Sequence, residues 1–380
     1  MPNDVTSLLQ SLIRIPSVNP DYAPGTDQTG EAAMADYVQR YLEKIGFAVT
    51  QEEILPGRPN VMARAPFEGT GPDLRPRILF GPHLDTVTII GMTIDPFGGD
   101  ISDGKIHGRG ASDTKGPMAA MLQALSHCRE LLATLPVAVD FVGFMGEEAS
   151  QHGSKHFAKH HAHEYAFALV GEPTSLNIVH VTKGSLWATL TTTGKAAHAS
   201  QPETGENAIL KLTRALDLMD QHLVAKLASY QHPVLDRTTL NIATIKGGTL
   251  ANIVPDHATA QIDIRTTPSI YQAGGALSVL EKFISDHHLP VCIEKSHENP
   301  PMETAADNPW IQQMQSANPT SKPVGAPWFS DAAHLTAAGV PSVCIGPGGI
   351  EQAHTKDEFI QIDDLESGVD HFERFIRSLA

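Results

Sequence analysis

Three apolar runs constrain this chain more than any other feature: RILF at 77–80, VAVDFVGFM at 137–145 and AFALV at 166–170. Continuous apolar runs of this length read as strands buried on both faces. Helical patterns separate and flank them. Residues 4–14 read as a short helix stopped at Pro16. Residues 30–45 place Met34, Tyr37, Val38, Tyr41, Leu42 and Ile45 on one face, and Gly46 follows as the terminating residue. Residues 117–132 place Met118, Met121, Leu122 and Leu125 on another, with Pro117 in the first turn. Strand-like runs at 47–54 and 60–65 complete the set. Buried strands alternating with helices predict an α/β fold: a mainly parallel sheet with helices on both faces. Ligands of such sheets gather beyond the carboxyl ends of the strands. His83, Glu147 and Glu172 stand at those ends.

The pattern changes near residue 178. The segment 178–193 alternates and is rich in Thr and Val. A helix is expected over 206–228, strands over 238–246 and 258–266, and a helix over 270–287. These elements predict an inserted two-layer α+β domain at 178–290, within a discontinuous main domain of 1–177 and 291–380. The last helix opens with a capping-box-like Asp363 and Glu366 spacing and carries Leu365, Val369, Phe372, Ile376 and Leu379 as its apolar stripe.

Charge narrows the functional classes. With 27 basic and 43 acidic residues, the 380-residue chain has a formal net charge of −16 and no long basic run. Neither nucleic-acid phosphates nor an anionic membrane surface suits such a chain. No apolar stretch reaches about 18 residues, so no membrane span is expected. Three widely spaced cysteines, Cys128, Cys292 and Cys344, fit neither a disulfide framework nor a cysteine zinc site. They fit a reducing compartment, and the N-terminus shows no signal peptide; a cytoplasmic location is expected.

Five polar clusters carry the chemistry. His83 and Asp85 are i and i+2 of an extended segment and share a side. Asp113 closes the glycine-rich GRGASD, just before a helix N-terminus, where a carboxylate is favoured. A phosphate loop is the rival reading of that stretch, but the spacing differs and no Ser or Thr follows Lys115. Glu147 and Glu148 are adjacent, and their repulsion is relieved if one holds a metal while the other accepts protons. Glu172 ends the next strand, and His354 stands in GGIEQAHT. Two histidines and several carboxylates suit zinc, cobalt or manganese. The dense His156, His160, His161 and His163 group reads instead as a solvated helix face, and so does His287-His288.

The blocks HLDTV, DPFGGDISDGKIHGRGASDTKG, GEEAS, GEPT and AHTKDEFI, in this order, resemble the zinc aminoacylase and carboxypeptidase superfamily, which includes acetylornithine deacetylase, succinyl-diaminopimelate desuccinylase and the glutamate carboxypeptidases. The resemblance covers nearly the whole chain. It implies two divalent metal ions, zinc first, with cobalt or manganese as alternatives. His83 and Glu172 would hold one ion, Glu148 and His354 the other, with Asp113 between them. Glu147 would be the general base and Asp85 would orient His83. The inserted domain would serve as a dimerisation or lid domain of a homodimer. His198 in AAHAS would reach the partner's active site, Asn252 and Arg265 would hold a substrate carboxylate, and Gly325 and Ser330 would lie in a substrate-contacting loop. Three motifs depart from the family's habit: Pro82 stands before His83, Thr93 and Ile94 stand where a tryptophan is common, and Ala stands before His198.

The activity implied is metal-dependent hydrolysis of the amide bond of an N-acyl-L-amino acid. A dipeptidase or carboxypeptidase would use the same site. Glu172, where aminopeptidases of the family tend to carry Asp, leans towards deacylases and carboxypeptidases. Phosphoester hydrolysis would call for more Lys and Arg around the ligands than these blocks hold. A non-catalytic binding protein would have no use for Glu147.

Overall fold

The computed structural model describes residues 4–21 and 23–380. The chain divides into two compact units, Met1–His180 with Glu303–Val324 and Ser330–Ala380, and Val181–Met302 with Gly325–Phe329.

In the first unit, the three apolar runs are adjacent strands. Arg77–Pro82 lies between Ala138–Gly143 and Phe167–Gly171, and Ser342–Ile345 follows; all pair in parallel. Beyond this centre the expected parallel sheet becomes mixed. Ala48–Leu55 and Arg58–Arg64 are joined by two residues, and so short a link allows only an antiparallel pair. Arg58–Arg64 then runs antiparallel to Ala138–Gly143, and Ile178–Thr182 runs antiparallel to Ser342–Ile345.

The core gathers Phe80, Phe141 and Phe167 from the sheet with Leu8, Leu9 and Leu12 of helix Val5–Ile13, Val38 and Leu42 of Ala32–Lys44, and Met118, Met121 and Leu122 of Lys115–His127. The stripe Leu365, Val369, Phe372 and Ile376 of helix Ile362–Arg377 joins them, and the Phe80 and Phe372 rings lie 5.5 Å apart. That helix is capped differently from expectation. It starts at Ile362 straight out of the strand Phe359–Gln361, and the Ile362 N–H is bonded to Gly104 O. The helix expected over 117–132 ends at His127, and a separate turn occupies Arg129–Leu132.

The second unit carries a four-stranded antiparallel sheet in the order Thr239–Gly247, His257–Thr266, Gly184–Thr193, Cys292–Asn299. Cys292–Asn299, beyond the boundary expected at 290, is thus an edge strand here. The alternation across 178–193 is split: Ile178–Thr182 belongs to the large sheet and Gly184–Thr193 to this one. Leu186, Leu190, Ile262 and Ile264 pack with Leu212 and Leu216 of helix Ala208–Leu218 and with Leu280 and Phe283 of helix Gly275–Asp286. The first helical run continues through a π-turn, Met219–Leu223, into Val224–Ala228. The second breaks where Gly274 (φ 103°) adopts a left-handed conformation that a side chain would resist.

Candidate metal centre

Parallel register brings the chemistry into a row. Pro82 pairs with Gly171, Gly171 with Ile345, and His83 bridges Phe144. The next residues out of these strands are Glu172 and the turn Met145–Glu148, so acid and imidazole leave the sheet at the same end. Gly146 makes the turn with φ 75°, a conformation that favours glycine.

Asp113 stands between two imidazoles. Its Oδ1 is 3.0 Å from His83 Nε2, and its Oδ2 is 3.3 Å from His354 Nε2. His354 Nε2 is also 3.2 Å from Glu148 Oε2. Donor atoms of His83, Asp113 and Glu148 all lie within 4.8 Å of one another. His83 is 2% exposed, whereas the His354 side chain is 53% exposed and forms the open side of the cluster.

Asp85 organises both its neighbours. Its Oδ2 accepts from Asn19 Nδ2 at 2.7 Å and from the Glu148 amide at 3.1 Å, and its Oδ1 accepts from the Glu147 amide at 3.0 Å. The carboxylate therefore pins the Glu147-Glu148 turn. His83 Nδ1 lies 2.9 Å from the main-chain carbonyl of Asp85 and 3.4 Å from its carboxylate. A carbonyl can only accept, so Nδ1 carries the proton and Nε2 presents its lone pair towards Asp113.

Glu358 is the functional support that the sequence reading passed over. It is fully buried, pairs with Arg109 at 2.7 Å, and accepts from the amides of Gly110, Ser112 and Asp113. The glycine-rich stretch wraps a carboxylate of its own chain, which sets the direction of Asp113. The Thr114 hydroxyl ties the same loop to Gly171 O at 2.6 Å.

The electrostatics ask for positive charge. Burial, then the neighbouring Glu172 carboxylate, pushes Glu147 well above the usual carboxylate range; burial and Asp113 do the same for Glu172. Glu148 is raised by burial and by Asp113. Asp113 itself, although burial opposes it, is held below the usual range by hydrogen bonds to His354 and His83. Asp331 is fully buried and accepts from Ser154; burial pushes it up to about 7. So many buried carboxylates around two imidazoles are matched by cations or stay protonated.

That is the environment a divalent ion needs, and one atom points to it directly. Glu148 Oε1 is buried and has no hydrogen-bond partner among the described residues. The donor set of imidazole nitrogens and carboxylate oxygens is the one borderline divalent metals take. The residues present therefore fit the metals expected.

The remaining expected residues lie elsewhere. In the second unit, His198 and Asn252 are brought together: the Ala199 amide bonds Asn252 O at 3.0 Å, and both side chains are exposed. His198 Nδ1 pairs with the Ser200 hydroxyl at 2.7 Å. They adjoin a cavity of about 500 Å³ lined by Ala199, Thr249, Leu250 and Ile253 among others. Arg265 is paired with Asp263 on its own strand, Nη2 to Oδ2 at 3.0 Å. A side chain at Gly325 would strike Val234 and Leu235. Ser330, in the first unit, is fully buried with its hydroxyl 2.9 Å from Cys344 Sγ.

Comparison with known proteins finds relatives over most of the chain. An acetylornithine deacetylase from Proteus mirabilis is 30% identical over 377 residues, covering 94% of this chain and 92% of that protein. A probable succinyl-diaminopimelate desuccinylase from Staphylococcus epidermidis is 26% identical, covering 92% and 93%. The solved structure of an M20 family metallo-carboxypeptidase from Sulfolobus solfataricus superposes with a TM-score of 0.78 at 20% identity, over 100% of this chain and 99% of that one. Residues 79–378, most of the chain and every residue of the cluster, match the peptidase family M20/M25/M40, and the chain belongs to that family of hydrolases.

Proposed function

We propose that this protein hydrolyses the amide bond of an N-acyl-L-amino acid at a two-metal centre. The observation that carries the reading is the position of Glu147. It follows the cluster's strand, is pinned through its own amide to Asp85, and has its proton affinity raised by burial and Glu172. A carboxylate so placed and so tuned is a general base and, after bond cleavage, a general acid.

His83 and Glu172 would hold one ion, Glu148 and His354 the other, and Asp113 both. The bound ions would polarise the acyl carbonyl and lower the pKa of water at the site. Glu147 takes the proton from the attacking water and hands it to the leaving amine. Asp85 keeps the base and Glu148 in register, and its carbonyl keeps His83 in the tautomer that offers Nε2. Glu358 keeps Asp113 directed inward.

The second unit would act as the lid and dimerisation domain, with His198 completing the partner's site and steadying the developing oxyanion. Asn252 beside it supports a joint role in holding substrate. Arg265 would take the free carboxylate bidentately, leaving Asp263 to do so. Ser330 and Gly325 would shape the substrate-contacting loop, Ser330 as a buried prop hydrogen-bonded to Cys344. Among the described residues, no helix is long and apolar enough to cross a membrane.

The test is amide hydrolysis by metal-stripped protein with zinc or cobalt restored. The panel is N-acetylornithine, N-succinyl-diaminopimelate, other N-acyl amino acids and dipeptides. Metal-dependent turnover of an N-acyl amino acid, with dipeptides inert, is the expected result. Cleavage of dipeptides alone would move the protein to the peptidases with its centre intact.

A further inference from the structure

Of the histidines of 155–163, expected as a solvated face, His160 and His163 are exposed, but His156 and His161 converge on one carboxylate. Glu52, on the edge strand Ala48–Leu55, has Oε1 2.8 Å from His156 Nε2 and Oε2 3.3 Å from His161 Nε2. His156 belongs to helix His152–His160, and His161 follows it. The second nitrogen of His161, Nδ1, lies 3.3 Å from Glu164 Oε1, and its ring leans on Phe157 at 5.3 Å. The His160 ring lies 4.3 Å from that of His156.

The pairing is incomplete in an informative way. Glu52 Oε2 and His161 Nε2 are both buried from solvent and face each other at 3.3 Å, and among the described residues neither has a partner in hydrogen-bond geometry. An imidazole nitrogen held by a carboxylate on its far side, with its near side aimed at another carboxylate, is the arrangement of a metal ligand and its outer support.

We propose that Glu52, His156 and His161 form a binding site for one divalent first-row transition-metal ion, separate from the centre at His83. Imidazole and carboxylate donors favour zinc, copper, nickel or cobalt over magnesium and calcium. Glu52 and His156 are each 32% exposed, so the ion enters from solvent and water completes its shell. As they stand the three donor atoms are not all within 4.8 Å of one another, so binding draws the two part-buried rings together about Glu52 towards the ~2 Å bonds of a zinc or copper site. The bound ion would clamp the edge strand to the helix that begins just after Glu147 and Glu148. Lys155, the nearest cation in sequence to His156, has its ammonium 2.8 Å from Ser150 O.

The test uses the full chain without an affinity tag. Protein is stripped with chelator, loaded with excess zinc or copper, passed through gel filtration and analysed for metal per chain. The wild type is expected to retain one ion more than the His156→Gln/His161→Gln double variant, with hydrolytic activity unchanged between them. Glu52→Gln, which leaves the helix intact, is expected to lose the same ion, so a poorly folded double variant does not blunt the test. Glu164→Gln is expected to keep the ion with about 10–100-fold lower affinity. Equal metal content in wild type and Glu52→Gln overturns the proposal.

Discussion

Replacing Asp85 by Asn separates positioning of the base from binding of metal. Asp85 is wholly buried and its two oxygens accept three hydrogen bonds, two of them on Oδ2. The amide of Asn best keeps its oxygen at the Oδ2 position, where it retains Asn19 and the Glu148 amide. Its NH₂ then faces the Glu147 N–H, donor against donor. One charge-assisted bond is lost, worth about 1.5–3 kcal/mol. The Glu147 main chain is released, and a base displaced by about 1 Å lowers kcat by about 100-fold. His83 keeps its main hold, the 2.9 Å contact of Nδ1 with the residue-85 carbonyl, and loses only the longer 3.4 Å approach of Oδ1. Metal affinity therefore falls by less than about 10-fold, under the usual cost of removing a ligand's outer partner. Steady-state kinetics on an N-acyl amino acid, with metal content measured on the same samples, reads both quantities. A variant that loses metal and kcat in parallel, or keeps wild-type kcat, refutes this division of labour.

Two further predictions follow from buried carboxylates. Glu358→Gln leaves Arg109 buried without its counter-charge and weakens the amide contacts, so unfolding free energy falls by about 3–5 kcal/mol in denaturant titrations. Asp331 has a folded pKa of about 7 against an ordinary 3.8, so the folded protein binds the extra proton between these values. Its contribution to stability is full below pH 4 and is lost as pH rises through 7. Asp331→Asn is expected to remove that slope, read as the difference in unfolding free energy between pH 5 and pH 7.5 for the two metal-stripped proteins.

Much of the centre was legible because parallel strands end together. His83, Glu147, Glu148 and Glu172 each follow an apolar run, and alignment of those runs places their ends in one row. Asp113 was legible from the glycines before it. Glu358 was not, because all its partners but Arg109 are main-chain amides about 250 residues away, and amides leave no mark in a sequence. The division at 182–184 was hidden for a different reason: the same alternation runs through both strands while their partners lie in different sheets. The mixed margin of the large sheet could have been read from the two-residue link at Pro56-Gly57. The break at Gly274-Gly275 was signalled by the glycine pair itself. The histidines near 156 carry helical spacing, and nothing in that spacing announces Glu52 from a distant strand.

The central claim is that Glu147 moves the proton while its neighbours hold the metal. Glu147→Gln keeps the shape and the amide contact with Asp85 and removes the base. Turnover of N-acetylornithine, or of whichever N-acyl amino acid the panel selects, is measured alongside metal per chain. The account predicts kcat reduced by about 10²–10⁴-fold with metal content unchanged. Turnover retained at the wild-type level, or metal lost together with activity, would contradict it.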